Sequence, residues 1–223
     1  FTYNLGFLSV IIAVGISMLC GLLIGLCHVY LKIPSFMASF AFMYICKGIG
    51  MVSYQGHPPT IQDPFVTALP TTTFLGIPFI TWVAIAMFVL CFFIQEYTAF
   101  GRHIYAVGDN EQAALFTGIN VRRVKLTVYV LVGLFAAIAG ILNAARTSAG
   151  LYTSGEGYEM DAIAAVVLGG TSMTGGVGRL AGSVIGAMII GVLSNGMNLM
   201  GFNSAWQYVV KGAVRLIAVL LDY

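Results

Sequence analysis

Side chains able to do chemistry are scarce in this chain. Ten lysines and arginines, eight acids, three histidines and four cysteines are spread over 223 residues. Their spacing offers no familiar catalytic constellation: there is no HExxH, no GxSxG and no close carboxylate pair facing an enclosed site. Cys20, Cys27, Cys46 and Cys91 all sit inside apolar runs, without CxxC or Cys/His ligand spacing. Neither a metal nor a disulfide is expected, and no cofactor. His28, His57 and His103 share no spacing that suggests a site. One stretch stands apart, "GRHIYAVGDNEQAALFTGINVRRVK" at 101–125. It holds Arg102, Asp109, Glu111, Arg122, Arg123 and Lys125, a third of the charges in the protein.

The elements around that stretch are apolar. Charged residues make up 8% of the chain and hydrophobic residues 59%, against about 25% charged in an ordinary soluble domain. So few charges cannot cover a water-soluble fold, so an integral membrane protein is expected. A net charge of +2 is too small to suggest a nucleic-acid partner. The chain opens on Phe1 with no signal-peptide n-region and ends without a basic tail, and it is read as part of a longer polypeptide.

A membrane span needs roughly 20 mostly apolar residues. Such runs cover 6–29, 34–52, 78–95, 126–145, 180–200 and 206–221. The run at 162–170 is too short to span alone and leads into a glycine-rich segment. The expected fold is therefore all-α: a polytopic helical membrane protein of about six visible spans, plus a broken or re-entrant segment. Lysines and arginines set its orientation. The segment 96–125 has four of them and is placed in the cytoplasm, whereas 54–77 has none and is placed outside. Residues 161–178 are expected to cross as part helix and part glycine-rich extended chain. A faint repeat pairs "YICKG" at 44–48 with "YVVKG" at 208–212, each after a glycine-spaced span. Duplication around a pathway and chance likeness of apolar helices both account for it.

The polar stretch carries the start and stop signals of a short helix. Asp109 or Asn110 can cap it, Asp109 and Gln112 have capping-box spacing, and Gly118 is a natural stop. Glu111 suits the positive end of the dipole. A helix of about eight residues, roughly 12 Å long, is marginal alone in water, so something must hold it. Its apolar residues, Ala113, Ala114, Leu115 and Phe116, suit insertion into a groove on a partner. The competing reading is a helix lying on the lipid surface; the basic residues at 122–125 follow the helix rather than line one face, which favours docking.

This stretch also resembles the cytoplasmic coupling loop of binding-protein-dependent ABC import permeases, in the branch with ribose, xylose, arabinose and galactose permeases. Gly101, Arg102, Tyr105, Ala106, Gly108, Asn110, Ala113, Ala114, Gly118, Ile119, Asn120 and Val121 stand where the family pattern asks. Residues 157–201 and 206–222 are similar to the same family. The family's amino-terminal "GIDLSVG"-like element is missing. The resemblance makes 1–223 a single transmembrane permease domain and 101–125 its coupling loop, within the inner membrane of a prokaryote. It implies that Asp109, Asn110, Glu111, Ala113, Ala114, Phe116 and Gly118 contact a cytoplasmic ATP-binding subunit. It implies a second permease copy or a paralogue beside this chain and a substrate-binding protein outside. Arg122, Arg123 and Lys125 would anchor the end of the loop at lipid headgroups.

Two further sites follow from that frame. "LGGTSMTGGVG" at 168–178 holds five glycines in eleven residues. Gly169, Gly170, Thr171, Ser172 and Thr174 either line the translocation path as unwound chain or serve close helix packing. Asn143, near the outer end of its span, joins them as a path candidate. Glu156 and Glu159 are the candidate docking contacts for the binding protein, with Asp161 as a helix cap. Lys47, Lys211 and Arg215 lie within spans and are expected to pair with carboxylates on helices outside this chain. No Gly-Lys-Ser/Thr phosphate loop is present, so the chain is read as a non-catalytic membrane subunit that moves a monosaccharide while another subunit hydrolyses ATP. The alternative is a stand-alone secondary transporter or channel for a small polar solute, which would need an acid in mid-span.

Overall fold

The computed structural model describes residues 7–54, 59–61 and 64–221, so His57 and Asp222 lie outside the described residues. Ten α-helices and one two-strand hairpin are present among them. In chain order these are α1 (Phe7–Leu31), α2 (Ser35–Tyr54), α3 (Pro64–Ala68), β1 (Thr73–Phe74), β2 (Ile77–Pro78), α4 (Phe79–Tyr97), α5 (Ala99–Asp109), α6 (Glu111–Phe116), α7 (Val121–Thr147), α8 (Tyr158–Leu168), α9 (Leu180–Leu199) and α10 (Ser204–Leu221). Among the described residues five helices, α1, α2, α4, α7 and α9, are long and apolar enough to cross a membrane. α10, read above as a sixth span, is 18 residues long and carries Lys211 and Arg215.

The chain divides into two compact units, Phe1–Phe88 with Asn120–Ser154, and Val89–Ile119 with Gly155–Tyr223. In the first unit α1 packs along α7. Glycines make that approach feasible. A Cβ on Gly133 would lie 2.6 Å from the Ser17 carbonyl oxygen, and one on Gly21 would overlap the carbonyl of Tyr129. The Ser17 hydroxyl donates to the Gly133 carbonyl at 2.8 Å, which fixes the crossing polar group to polar group. β1 and β2 pair antiparallel, with Thr73 opposite Pro78. Their turn puts Leu75 at φ +54° and Gly76 at φ +77°, the two positive φ values of a tight hairpin turn.

In the second unit α8 packs on α9, and α10 packs on α8. A Cβ on Gly182 would overlap the Gly169 carbonyl, and one on Gly186 would overlap that of Ala165. These two contacts, each one helical turn along, show α8 and α9 to be antiparallel, with Ala164, Ala165 and Ile190 as the buried cluster between them. Small residues at such a seam let backbones approach, which supplies the packing that lipid does not drive. α8 has 11 residues, about 16 Å at 1.5 Å per residue, so it is too short to cross by itself. The chain after it is not extended as expected. Gly170, Gly175 and Gly176 take φ of +80°, +96° and +75°, folding 169–179 into turns that lead directly into α9.

Gly186→Leu should therefore lower the thermal midpoint of the detergent-solubilised protein, through an overpacking cost of about 1–3 kcal/mol. Gly191→Leu, on the same helix where an added Cβ meets nothing within 4 Å, should leave the midpoint unchanged. Equal melting of the two variants would refute the packing role of Gly186.

Candidate functional site

The polar stretch is helical for most of its length. α4 ends at Tyr97 and α5 begins at Ala99, with Thr98 alone between them. The Thr98 hydroxyl donates to the Ile94 carbonyl at 2.5 Å and accepts from the Gly101 amide at 3.2 Å. One side chain thus closes the last turn of one helix and caps the first of the next. Gly101 is buried, and a Cβ there would lie 2.6 Å from the Ile94 carbonyl oxygen. α5 itself was not expected from the sequence, although Thr98 as a cap and Phe100, Ile104 and Val107 at helical spacing announce it.

α6 follows after another single residue. Asn110 is both the C-cap of α5, its N–H donating to the Ala106 carbonyl at 3.2 Å, and the N-cap of α6, its Oδ1 accepting from the Ala113 amide at 3.0 Å. Asn110 is therefore the cap and Asp109 is not: Asp109 is the last residue of α5, so the capping box from Asp109 to Gln112 does not form. α6 has six residues rather than about eight. Its end is a Schellman motif. The Ile119 amide donates to the Ala114 carbonyl at 3.1 Å, the Gly118 amide donates to the Leu115 carbonyl at 3.0 Å, and Gly118 stands at φ +84°. Both ends of a helix too short to persist alone are thus closed, and its body rests on α5.

That packing sorts the expected contact residues. Ala114 is 3% exposed and faces inward, which corrects its assignment as a contact: it seats α6 on the protein. Phe116 is 90% exposed, and Glu111, Ala113 and Leu115 are exposed with it.

The glycine-rich turn lies against α5. The Tyr105 hydroxyl donates to the Gly178 carbonyl at 2.7 Å and accepts from the Gln95 side-chain amide of α4. A Cβ on Gly108 would lie 2.8 Å from the Gly176 nitrogen, and one on Gly175 would lie 2.5 Å from the Gly108 carbonyl oxygen. Within the turn, the Ser172 amide donates to the Val177 carbonyl at 3.0 Å and the Ser172 and Thr174 hydroxyls lie 2.9 Å apart. Thr171 Oγ1 is 3.4 Å from Ser183 Oγ on α9. Gly169 serves close packing against Gly182 and Ser183, so of the two readings offered for that residue packing describes its contacts. In the other unit, Asn143 near the end of α7 donates to the Ser154 hydroxyl at 2.7 Å.

Asp161 is not a cap. Gly157 holds the N-cap position of α8 without a side-chain bond, and Asp161 is the fourth helical residue. It accepts from Arg215 at 2.7 Å and lies 3.7 Å from Lys211 Nζ. These two cations therefore find their carboxylate inside this chain, which corrects the expectation of partners elsewhere. Arg215 also reaches the Gly157 carbonyl at 3.4 Å. Asp161 stands one turn before Ala165, so the antiparallel seam sets it level with about the middle of α9. Nothing in the local sequence announced this pairing, because the partners are 54 residues apart. Glu156 and Glu159 are exposed near the same end of α8, Glu159 in its first turn.

Asp161→Asn should lower the melting midpoint in detergent by an amount corresponding to about 2 kcal/mol, the scale of a hydrogen bond to a charged group. Exchanging the charges, Asp161→Arg with Arg215→Asp, should recover part of that loss. A double exchange that melts no later than the worse of its two single variants would argue against the pair.

A family described as branched-chain amino acid transport system / permease component matches residues 2–220. The ribose import permease protein RbsC of Bacillus subtilis is 46% identical over 200 residues, covering 86% of this chain and 60% of that protein. RbsC of Escherichia coli K12 is 43% identical over 197 residues, covering 86% of this chain and 61% of its own length. The xylose transport system permease protein XylH of Haemophilus influenzae is 47% identical over 147 residues, covering 66% of this chain and 39% of that protein. This chain thus spans about three fifths of the length of the ribose permeases it matches. No solved structure matches it. A match along nearly every residue, on a chain whose long helices are built to lie in lipid, leaves one classification: this multi-pass membrane protein belongs to the branched-chain amino acid transport system permease component family.

Proposed function

We propose that this chain is the membrane-spanning part of an ATP-driven importer that carries a monosaccharide inward across the cytoplasmic membrane. The observation that carries the reading is the 46% identity to a ribose import permease along 86% of the chain. Ribose, xylose and arabinose name the permeases it is similar to, so a pentose is the first substrate to test. ATP hydrolysis is assigned to a separate cytoplasmic subunit, which would receive Phe116, Ala113, Leu115 and Glu111 of α6. Asn110 and Gly118 would set the pose of that helix rather than touch the partner. The doubly capped geometry of α6 supports this role. Glu156 and Glu159 are the proposed contacts for an external binding protein, and a second copy or a paralogue would complete the path. Thr171, Ser172 and Thr174 are its proposed polar lining.

The test is uptake of labelled ribose into proteoliposomes that contain the full-length permease, its ATP-binding subunit and its binding protein. Uptake should require ATP inside the reconstituted system and fall when unlabelled xylose or arabinose competes. Phe116→Asp should abolish uptake and release the ATP-binding subunit from the purified complex, while the variant still inserts into the membrane. Ribose uptake that proceeds without the ATP-binding subunit would replace this reading with a stand-alone transporter.

A further inference from the structure

Resting on that importer reading, we propose that Tyr105 is a positioning residue that transmits displacement of α6 to the α8–α9 hairpin. It does so through a clasp between α5 and the glycine-rich turn.

The clasp has two points of contact on α5, three residues apart. At the first, the Tyr105 hydroxyl is held between the Gln95 amide and the Gly178 carbonyl. At the second, the backbone of Gly108 meets that of Gly175 and Gly176 with no side chain between them, and Asp109 lies against Gly176 beside it. Two anchors on one helical turn resist rotation of α5 against the turn, where one anchor would act as a pivot. Backbone contacts of this kind are also short and stiff, because no flexible side chain intervenes.

Each end of the clasp leads to a moving part. On one side, Asn110 alone separates α5 from α6, and its two caps bind both helices. α6 is thereby joined rigidly to α5. On the other side, Gly178 is followed by Arg179, the N-cap residue of α9. The turn is braced internally by the bond from Ser172 to Val177, and it is tied back to α8 by the Thr171 amide donating to the Val166 carbonyl at 3.1 Å. A push on α6 therefore arrives at the start of α9 and the end of α8 together. These two helices then move as one, because Gly182 and Gly186 lock them along the seam. Filling space does not explain the phenol: a phenylalanine would fill the same volume, whereas both hydrogen bonds of Tyr105 belong to its hydroxyl.

The decisive quantity is the ratio of sugar taken up to ATP hydrolysed, measured in the same proteoliposomes for wild type, Tyr105→Phe and Gly108→Ala. Loss of both hydrogen bonds of the hydroxyl should reduce the ratio at least about threefold in Tyr105→Phe. Hydrolysis should stay near the wild-type rate and the ATP-binding subunit should remain bound. Gly108→Ala, which forces a methyl group against Gly176, should reproduce the effect through the other anchor. An unchanged ratio in both variants would overturn the proposal. So would a proportional fall of uptake and hydrolysis, since that marks a loss of folded complex rather than of transmission. Wild-type liposomes that show no ATP-driven uptake would instead overturn the importer reading, and the transmission role with it.

Discussion

Lipid gives two apolar helices no reason to meet, since hydrocarbon chains solvate leucine as well as another leucine does. What remains is contact itself: dispersion and the occasional polar bond, both of which weaken steeply with separation. The protein answers by removing side chains where its helices cross. Gly21 and Gly133 bring α1 onto α7, Gly169, Gly182 and Gly186 bring α8 onto α9, and Gly101 lets α5 turn away tightly from α4. The apolar residues that dominate the composition are left largely facing outward, as the exposure of Ile11, Leu19, Met188 and Val192 illustrates. In water such a pattern would describe a protein turned inside out; in a bilayer it describes a solvent match.

The same device does a second job at the polar end of the fold. α5 and α6 are short, and neither would persist by propensity alone. They are held by single-residue corners at Thr98 and Asn110, each of which satisfies groups on both of its neighbours. The glycines of the turn then accept α5 at backbone distance. The short helix α6 is in this way joined to α4 and to the α8–α9 hairpin by a continuous run of caps and backbone contacts rather than by a flexible tether.

How much of this was legible depended on the range of the interaction. The long spans were readable because an uninterrupted apolar run of membrane length is matched to lipid and to little else, and α1, α2, α4, α7 and α9 fall where those runs lie. The stop at Gly118 and the cap near Asn110 were readable because both act within a few residues. α5 was hidden by Gly101 and Gly108, which argue against a helix by propensity. Those glycines are there for neighbours, the Ile94 carbonyl and the Gly176 nitrogen, that local sequence does not reveal. The burial of Ala114 could not be read from the six residues of α6 alone. Asp161 was misread for the same reason: a carboxylate at a helix start suggests a local cap, and only the packing of α10 shows where its bonds go.

That pairing bears on how the polypeptide enters the membrane in the first place. A segment bearing two cations is a poor candidate for partitioning into lipid unaided, since a lysine or arginine near the centre costs about 2.5–3.5 kcal/mol on insertion scales. α10 is such a segment, and the carboxylate that offsets Lys211 and Arg215 has already left the ribosome on α8. α8 in turn is too short to be held by the bilayer alone. Neither end of the carboxyl-terminal region is therefore a self-sufficient insertion unit. The two cations of α10 meet their carboxylate only once α10 has emerged and packed on α8.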